Sequence, residues 1–264
     1  VEYNYPTIFT TRVFDTENET LVTTLERLKE GRRHRVVFYA DAALATPELI
    51  GQINAYCIAH SDVINLAAPV KVVSGGFEIK NDPEFIISTL KELGELHIDR
   101  QSFVVVIGGG SVIDAVGLAV ALLHRGARLI RIPTTVLGQD DAGVGVKNGI
   151  DFNGQKNFMG CFAPPFAVIN DLALLVTLGD EDWFGGFAEA QFLYGVYCKE
   201  KLQDDKNAYK YLELAAKQNH RNAWLYLGRC YFDRKNEHFS YLLWAKLCYM
   251  AAERITPDAE TEFR

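Results

Sequence analysis

The 264-residue sequence predicts an α/β domain over residues 1–180 followed by an all-α segment over 181–264, and three observations carry that prediction. Through the first part, short β-branched runs alternate with amphipathic helical stretches, the pattern of a largely parallel sheet with crossover helices. Beyond about residue 180, Val and Ile become rare, while Tyr, Leu, Ala and Lys fall at helical spacing. Within this second part, stretches align with one another at offsets of 33 and 36 residues, a period typical of paired-helix repeats.

The elements follow in order. "RVVFYAD" (35–41) reads as a buried strand ending at Asp41. "TPELIGQINAYCIAH" (46–60) reads as a helix with Thr46 as its N-cap, Pro47 at the first helical position and Glu48 in the first turn. After "APVKVVSGG" (68–76), Asp82 and Pro83 open a second helix with Phe85, Ile86, Leu90 and Leu93 on one face. A third unit runs through "SFVVVIGGG" (102–110), a helix over 111–126 and "ARLIRIPTT" (127–135). In the second part four helices fit, at about 187–200, 206–218, 221–233 and 238–254. Ala190, Gln191, Phe192 and Gly195 align over Ala223, Trp224, Leu225 and Gly228, and "YLELAAKQ" (211–218) is echoed by "LCYMAAER" (247–254).

Composition narrows the function classes. With 48% hydrophobic and 23% charged residues and a net charge of -7, the chain reads as a globular protein without the basic surface that nucleic acid requires. The five cysteines are scattered and never form a C-x-x-C pair, which argues against structural zinc and a disulfide framework and for a reducing cytoplasm. No run of about 18 apolar residues is present to span a membrane. The opening "VEYNYPT" has no signal-peptide pattern, so a cytoplasmic location is expected.

The strand–"GGG"–helix joint at Gly108, Gly109 and Gly110 carries the first chemistry. Glycines let backbone N–H groups approach a pyrophosphate, and the helix starting there directs its positive end at the same anion, as in a Rossmann-like dinucleotide site. The segment 131–165, with few helix-forming runs, reads as a long functional loop. It gathers Thr134, Thr135, Asp141, Lys147, Lys156 and Asn157. Lysines neutralise a phosphate, a carboxylate orients hydroxyls and an amide supplies a neutral donor, the set a phosphorylated polyol needs.

On these residues the sequence resembles the 3-dehydroquinate synthase-like sugar-phosphate cyclases over about 1–190. "GGGSVID" resembles that family's glycine joint, with Asp114 at its cofactor-binding aspartate, and "IPTT" matches the pair Thr134 and Thr135 beside NAD. "QDDAGVGVK" places Asp141 and Lys147, and "GQKN" places Lys156 and Asn157, on substrate-facing positions. Asp41 is similar to the adenosine-side aspartate, and Arg125 in "HRG" to an arginine that reaches a neighbouring subunit's phosphate, which implies a homodimer. The family's G-E-x-x-K is here "GFEIK", so Lys80 fits while Phe77 replaces the acidic residue. The resemblance implies NAD as a catalytic cofactor, a divalent metal such as zinc or cobalt, and a phosphorylated sugar as substrate.

"GGFAEA" (185–190) resembles the family segment that gives a glutamate to the metal, which implies Glu189 as ligand. The family's two later histidine ligands have no counterpart, since His220 and His238 lack those surroundings, and His220 reads as solvent-facing. From 188 to about 254 the sequence resembles Sel1-like repeats, relatives of the tetratricopeptide class. The expectation is a truncated cyclase of questionable activity, keeping the cofactor half and carrying helical repeats in place of the metal half. The alternative is a protein-interaction scaffold whose repeats bind a protein partner while the α/β part serves as a non-catalytic platform.

Overall fold

The computed structural model describes residues 4–175, 188, 191–233 and 239–254. The chain divides into two compact units, Val1–Leu178 and Gly179–Arg264.

The first unit is built on a seven-stranded sheet. In order across it stand β1 (Thr7–Thr10), β9 (Ala167–Asp171), β6 (Arg128–Pro133), β5 (Phe103–Gly108), β2 (His34–Asp41) and β3 (Ile64–Leu66). β4 (Lys71–Val73) also pairs with β2, at its far end. Every pairing in this sheet is parallel. All six residues of β5 are buried, as expected of a central strand covered on both faces.

Strand alternation sends the side chains to two cores. Val36, Phe38, Ala40 and Val105 meet Leu21 and Leu25 of α1 (Thr20–Leu25) and Ile53 and Tyr56 of α2 (Pro47–Ala59). Val37, Tyr39, Val104 and Val106 meet Ile86 and Leu93 of α4 (Pro83–Glu95) and Ile113 and Val116 of α5 (Gly110–Leu122). Burying each such aliphatic or aromatic side chain contributes about 1.5–3 kcal/mol, which makes these two layers the main stabilising element.

The helix starts follow the sequence. Thr46 Oγ1 accepts the Leu49 N–H at 3.2 Å ahead of Pro47, and Asp82 accepts the Phe85 N–H at 3.1 Å ahead of Pro83. Two expectations change. The helix expected over 111–126 ends at Leu122 and passes into a tight turn, Leu123–Arg125, where His124 and Arg125 have φ of 50° and 68°. The expected loop over 131–165 is a wide helical turn, Gly138–Ala142, followed by an antiparallel hairpin of β7 (Lys147–Phe152) and β8 (Gln155–Phe162). Asn153 and Gly154 form its tip with φ of 52° and 74°, left-handed geometry that Asn and Gly tolerate best. The Asn-Gly signal was present in the sequence.

In the second unit, helical turns over 191–197 lead into a wide turn, Cys198–Leu202, and then into helices Asp205–Lys217, Arg221–Asp233 and Phe239–Arg254. Phe192, Leu212, Ala215, Ala216, Ala223, Leu227 and Cys248 form its core. His220 differs from the expectation of a solvent-facing residue: its Nδ1 accepts the Ala223 N–H at 3.1 Å, capping the next helix, and its ring lies 4.8 Å from that of Phe192. Among the described residues no helix is long and apolar enough to cross a membrane.

Candidate functional site

Parallel strands of similar length bring their C-terminal ends together, and here those ends carry most of the residues singled out above. β2 closes on Asp41, β5 on Gly108, and β6 on Pro133 with Thr134 and Thr135 following. The register pairs Ala40 with Ile107 and Gly108 with Pro133.

The glycine joint is tight on its inner side. A Cβ on Gly108 would stand 3.1 Å from both Asp41 Cβ and Val112 Cβ, one on Gly109 3.3 Å from Thr135 Cγ2, and one on Gly110 3.2 Å from Ala142 Cβ. Gly109 occupies the N-cap of α5 in extended geometry and supplies no capping side chain. The first N–H groups of α5 are thus offered at a glycine-walled helix start, the arrangement that receives a pyrophosphate. Thr134 is buried, and its N–H donates to Gly108 O at 3.0 Å, while Thr135 Oγ1 accepts the Gly138 N–H at 2.9 Å. Asp41 Oδ1 accepts the Ala43 N–H at 3.0 Å. The same carboxylate lies against Gly75, where a Cβ would fall 2.5 Å from Oδ2.

Beside this joint, α3 (Gly76–Lys80) presents Lys80. Its Nζ donates to Asp114 Oδ2 at 2.6 Å, to Gly149 O at 3.0 Å and to Asn157 Oδ1 at 3.1 Å. One ammonium therefore joins α3, α5 and both strands of the hairpin. Burial pushes the Asp114 carboxyl above the usual carboxylate range, with Lys80 and then Arg131 opposing the rise and Asp141 adding to it.

The remaining residues are placed differently. Asp141, Lys147 and Lys156 are exposed on the turn and hairpin. Arg125 precedes β6, so it stands at the N-terminal edge of the sheet, opposite the glycine joint, beside Asp99, Arg100 and Gln101. Phe77, at the first turn of α3, is 78% exposed. Glu189 lies outside the described residues. Among the described residues no three His, Cys, Asp or Glu side chains converge as a metal ion would need.

The sequence reading missed Arg131 and Asn148, which are buried beneath this site. The available signal was a cation inside the apolar strand "RLIRIP", since a buried charge must be compensated by something specific.

The fold and site together define a mixed α/β protein with a parallel, Rossmann-like sheet and a dinucleotide-type joint at its C-terminal edge. Residues 71–185 match the family model described as 3-dehydroquinate synthase N-terminal. The chain is 36% identical over 183 residues to 3-dehydroquinate synthase of Sulfolobus acidocaldarius, an alignment covering 68% of this chain and 47% of that protein. The chain thus spans about half the length of the curated relative it matches. Among solved structures, it is similar to 2-epi-5-epi-valiolone synthase from Streptomyces hygroscopicus with NAD+ and Zn2+ bound: TM-score 0.61, 25% identity, 83% of this chain and 61% of the other. It shares its fold with 2-deoxy-scyllo-inosose synthase complexed with carbaglucose-6-phosphate, NAD+ and Co2+: TM-score 0.56, 21% identity, 72% of this chain and 47% of the other. The family-model and sequence matches support a 3-dehydroquinate synthase-type N-terminal domain in the first unit.

Proposed function

We propose that the first unit is the cofactor half of a 3-dehydroquinate synthase-like sugar-phosphate cyclase, binding NAD at the ends of β2, β5 and β6 and a phosphorylated sugar against the hairpin. The observation that carries this reading is the Lys80 ammonium bonded at once to Asp114 and Asn157, a cofactor-side and a substrate-side residue, next to the glycine joint.

Gly108, Gly109 and Gly110 with the start of α5 hold the pyrophosphate, and Asp41 accepts hydroxyls of the adenosine ribose. Thr134 and Thr135 wall the cofactor where β6 ends. Bound NAD supplies reversible hydride transfer at a substrate hydroxyl. Lys80, whose three N–H donors are all engaged, holds Asp114 on the cofactor side and Asn157 on the substrate side in fixed positions. Lys147 and Lys156 neutralise the departing phosphate, Asp141 orients ring hydroxyls, and Asn157 supplies an uncharged polar contact. Arg125, facing the opposite edge, meets phosphate only in a second subunit's site, and this reading includes a homodimer. Glu189 is this chain's proposed contribution to a zinc or cobalt site.

We read the second unit as Sel1-like repeats. Gly195 and Gly228, 33 residues apart, support this: a Cβ on the first would stand 2.8 Å from Leu212 Cγ, and one on the second 2.9 Å from the Tyr249 ring. Each glycine lets the following helix approach at the equivalent point of the period.

Calorimetric titration of NAD into the chain, beside Asp114→Ala and with and without zinc or cobalt, tests the functional reading. Saturable NAD binding that the variant loses is expected. An absence of NAD binding in the wild-type chain overturns it.

A further inference from the structure

Among the described residues Arg131 is the largest side chain with no solvent exposure. A guanidinium there is costly unless its donors are used. Nη1 donates to the carbonyls of Ala142 at 3.2 Å, Gly143 at 3.1 Å and Gly145 at 2.6 Å, and Nη2 donates to Asn148 Oδ1 at 2.7 Å. Among the described residues its acceptors are carbonyl and amide oxygens rather than a carboxylate, and its Nε has no partner there. Burial lowers the proton affinity of Arg131, and the nearby negative charge of Asp114 opposes that effect.

Asn148 extends the brace. Its Nδ2 donates to Val146 O at 3.2 Å and to Ala163 O at 3.1 Å, reaching both ends of the hairpin base. Its Oδ1 fills the space where any side chain on Gly117 of α5 would have to stand. Tyr5 donates its hydroxyl to Val144 O in the same turn at 2.6 Å. One guanidinium and one amide thus join β6, the 142–145 turn, the hairpin and α5. Asp141 directly precedes that turn, and the hairpin carries Lys147, Asn157 and the Gly149 carbonyl that Lys80 uses. An apolar residue at 131 would fill the strand at lower electrostatic cost but would leave those carbonyls unheld.

We propose that Arg131, acting through Asn148, is a positioning residue that fixes the turn and hairpin against the glycine joint so that cofactor and substrate meet one preorganised surface. This rests on the NAD-binding reading above. Asp114 faces Lys80 from α3, Arg131 from β6 and Asp141 from the helical turn Gly138–Ala142, so removing Arg131 takes away one of its two cations.

The test compares wild type with Arg131→Lys, which keeps the charge and loses the planar fork, and Arg131→Gln, which loses the charge. NAD affinity by calorimetry and amide hydrogen exchange over 138–149 and 103–108 are read together. Arg131→Lys is expected to weaken NAD binding about tenfold and speed exchange over 138–149, leaving the β5 amides unchanged. In Arg131→Gln the acid limb of NAD affinity is expected to move to higher pH, because Asp114 holds its proton more tightly there; a loosened fold alone would weaken binding equally at every pH. Folded variants that bind NAD as wild type does, with an unmoved acid limb, overturn the proposal. If neither variant folds, exchange in wild type decides: NAD slows the 138–149 amides if the brace couples to the site, and unchanged exchange overturns it. A wild-type chain that binds no NAD defeats the functional reading itself.

Discussion

The backbone N–H of Asn157 donates to Asp151 Oδ1 at 2.7 Å, and this bond holds open an irregularity in the hairpin. Ile150 pairs with Met159 and Phe152 with Gln155, so Asp151 alone faces Lys156, Asn157 and Phe158. The extra residues bulge out, with Asn157 at a φ of 50°. That left-handed step lets the Asn157 side chain meet Lys80. Asp151→Ala removes the acceptor while leaving the strand ends paired. NAD affinity is expected to fall about threefold, with the melting temperature nearly unchanged, as for a surface substitution. Calorimetry and thermal unfolding on the same preparation check this, and unchanged affinity would show that the bulge holds without the bond.

Asp114 is held at a cost. Its carboxyl is raised by burial, so the unfolded chain gives up that proton at lower pH than the folded chain does, and this group's contribution to stability falls as pH rises above the ordinary carboxylate value of about 3.9. Asp114→Asn removes that loss. The variant's stability relative to wild type is expected to rise as pH increases from about 4 toward neutrality, while NAD binding is lost. Urea unfolding at several pH values measures the first, and a pH-independent difference between the two proteins would contradict it.

Gly75 has an ordinary φ of -90°, so an alanine there meets no backbone strain. Its Cβ would fall 2.5 Å from Asp41 Oδ2, and the carboxylate is the group that must move. Gly75→Ala is expected to weaken NAD binding about tenfold with little change in melting temperature. NADH fluorescence titration follows the affinity, and binding at wild-type strength would remove Asp41 from the cofactor site.

Gly228→Ala tests the second unit. The new Cβ would stand 2.9 Å from the Tyr249 ring, and overpacking of this kind costs about 1–3 kcal/mol. Helical unfolding at lower temperature is expected, with NAD affinity retained. Circular dichroism with calorimetry separates the two effects, and a variant as stable as wild type would mean that Tyr249 turns aside freely.

Much of the first unit was legible because its signals are local. Thr46 with Pro47 and Asp82 with Pro83 set helix starts through bonds made three residues on, and "FVVVI" declares a strand buried on both faces. Lys80 and Asp114 were legible only through resemblance, as letters at fixed places in motifs. The hairpin was signalled by Asn153 and Gly154 yet obscured by the glycines and polar residues around it. His220 looked exposed because nothing in its neighbours announces a cap made by a ring nitrogen.

By itself, then, the sequence determined the alternation of strands and helices, the glycine joint and the identity of the charged groups, because spacing and backbone freedom are properties of neighbouring residues. The tertiary structure decided what those groups do to one another. Lys80 meets Asn157 across 77 positions, and Arg131 spends its donors on a turn and a hairpin rather than on a carboxylate. Such meetings depend on burial and on the register of parallel strands. Both arise only when the whole sheet has closed over its two cores.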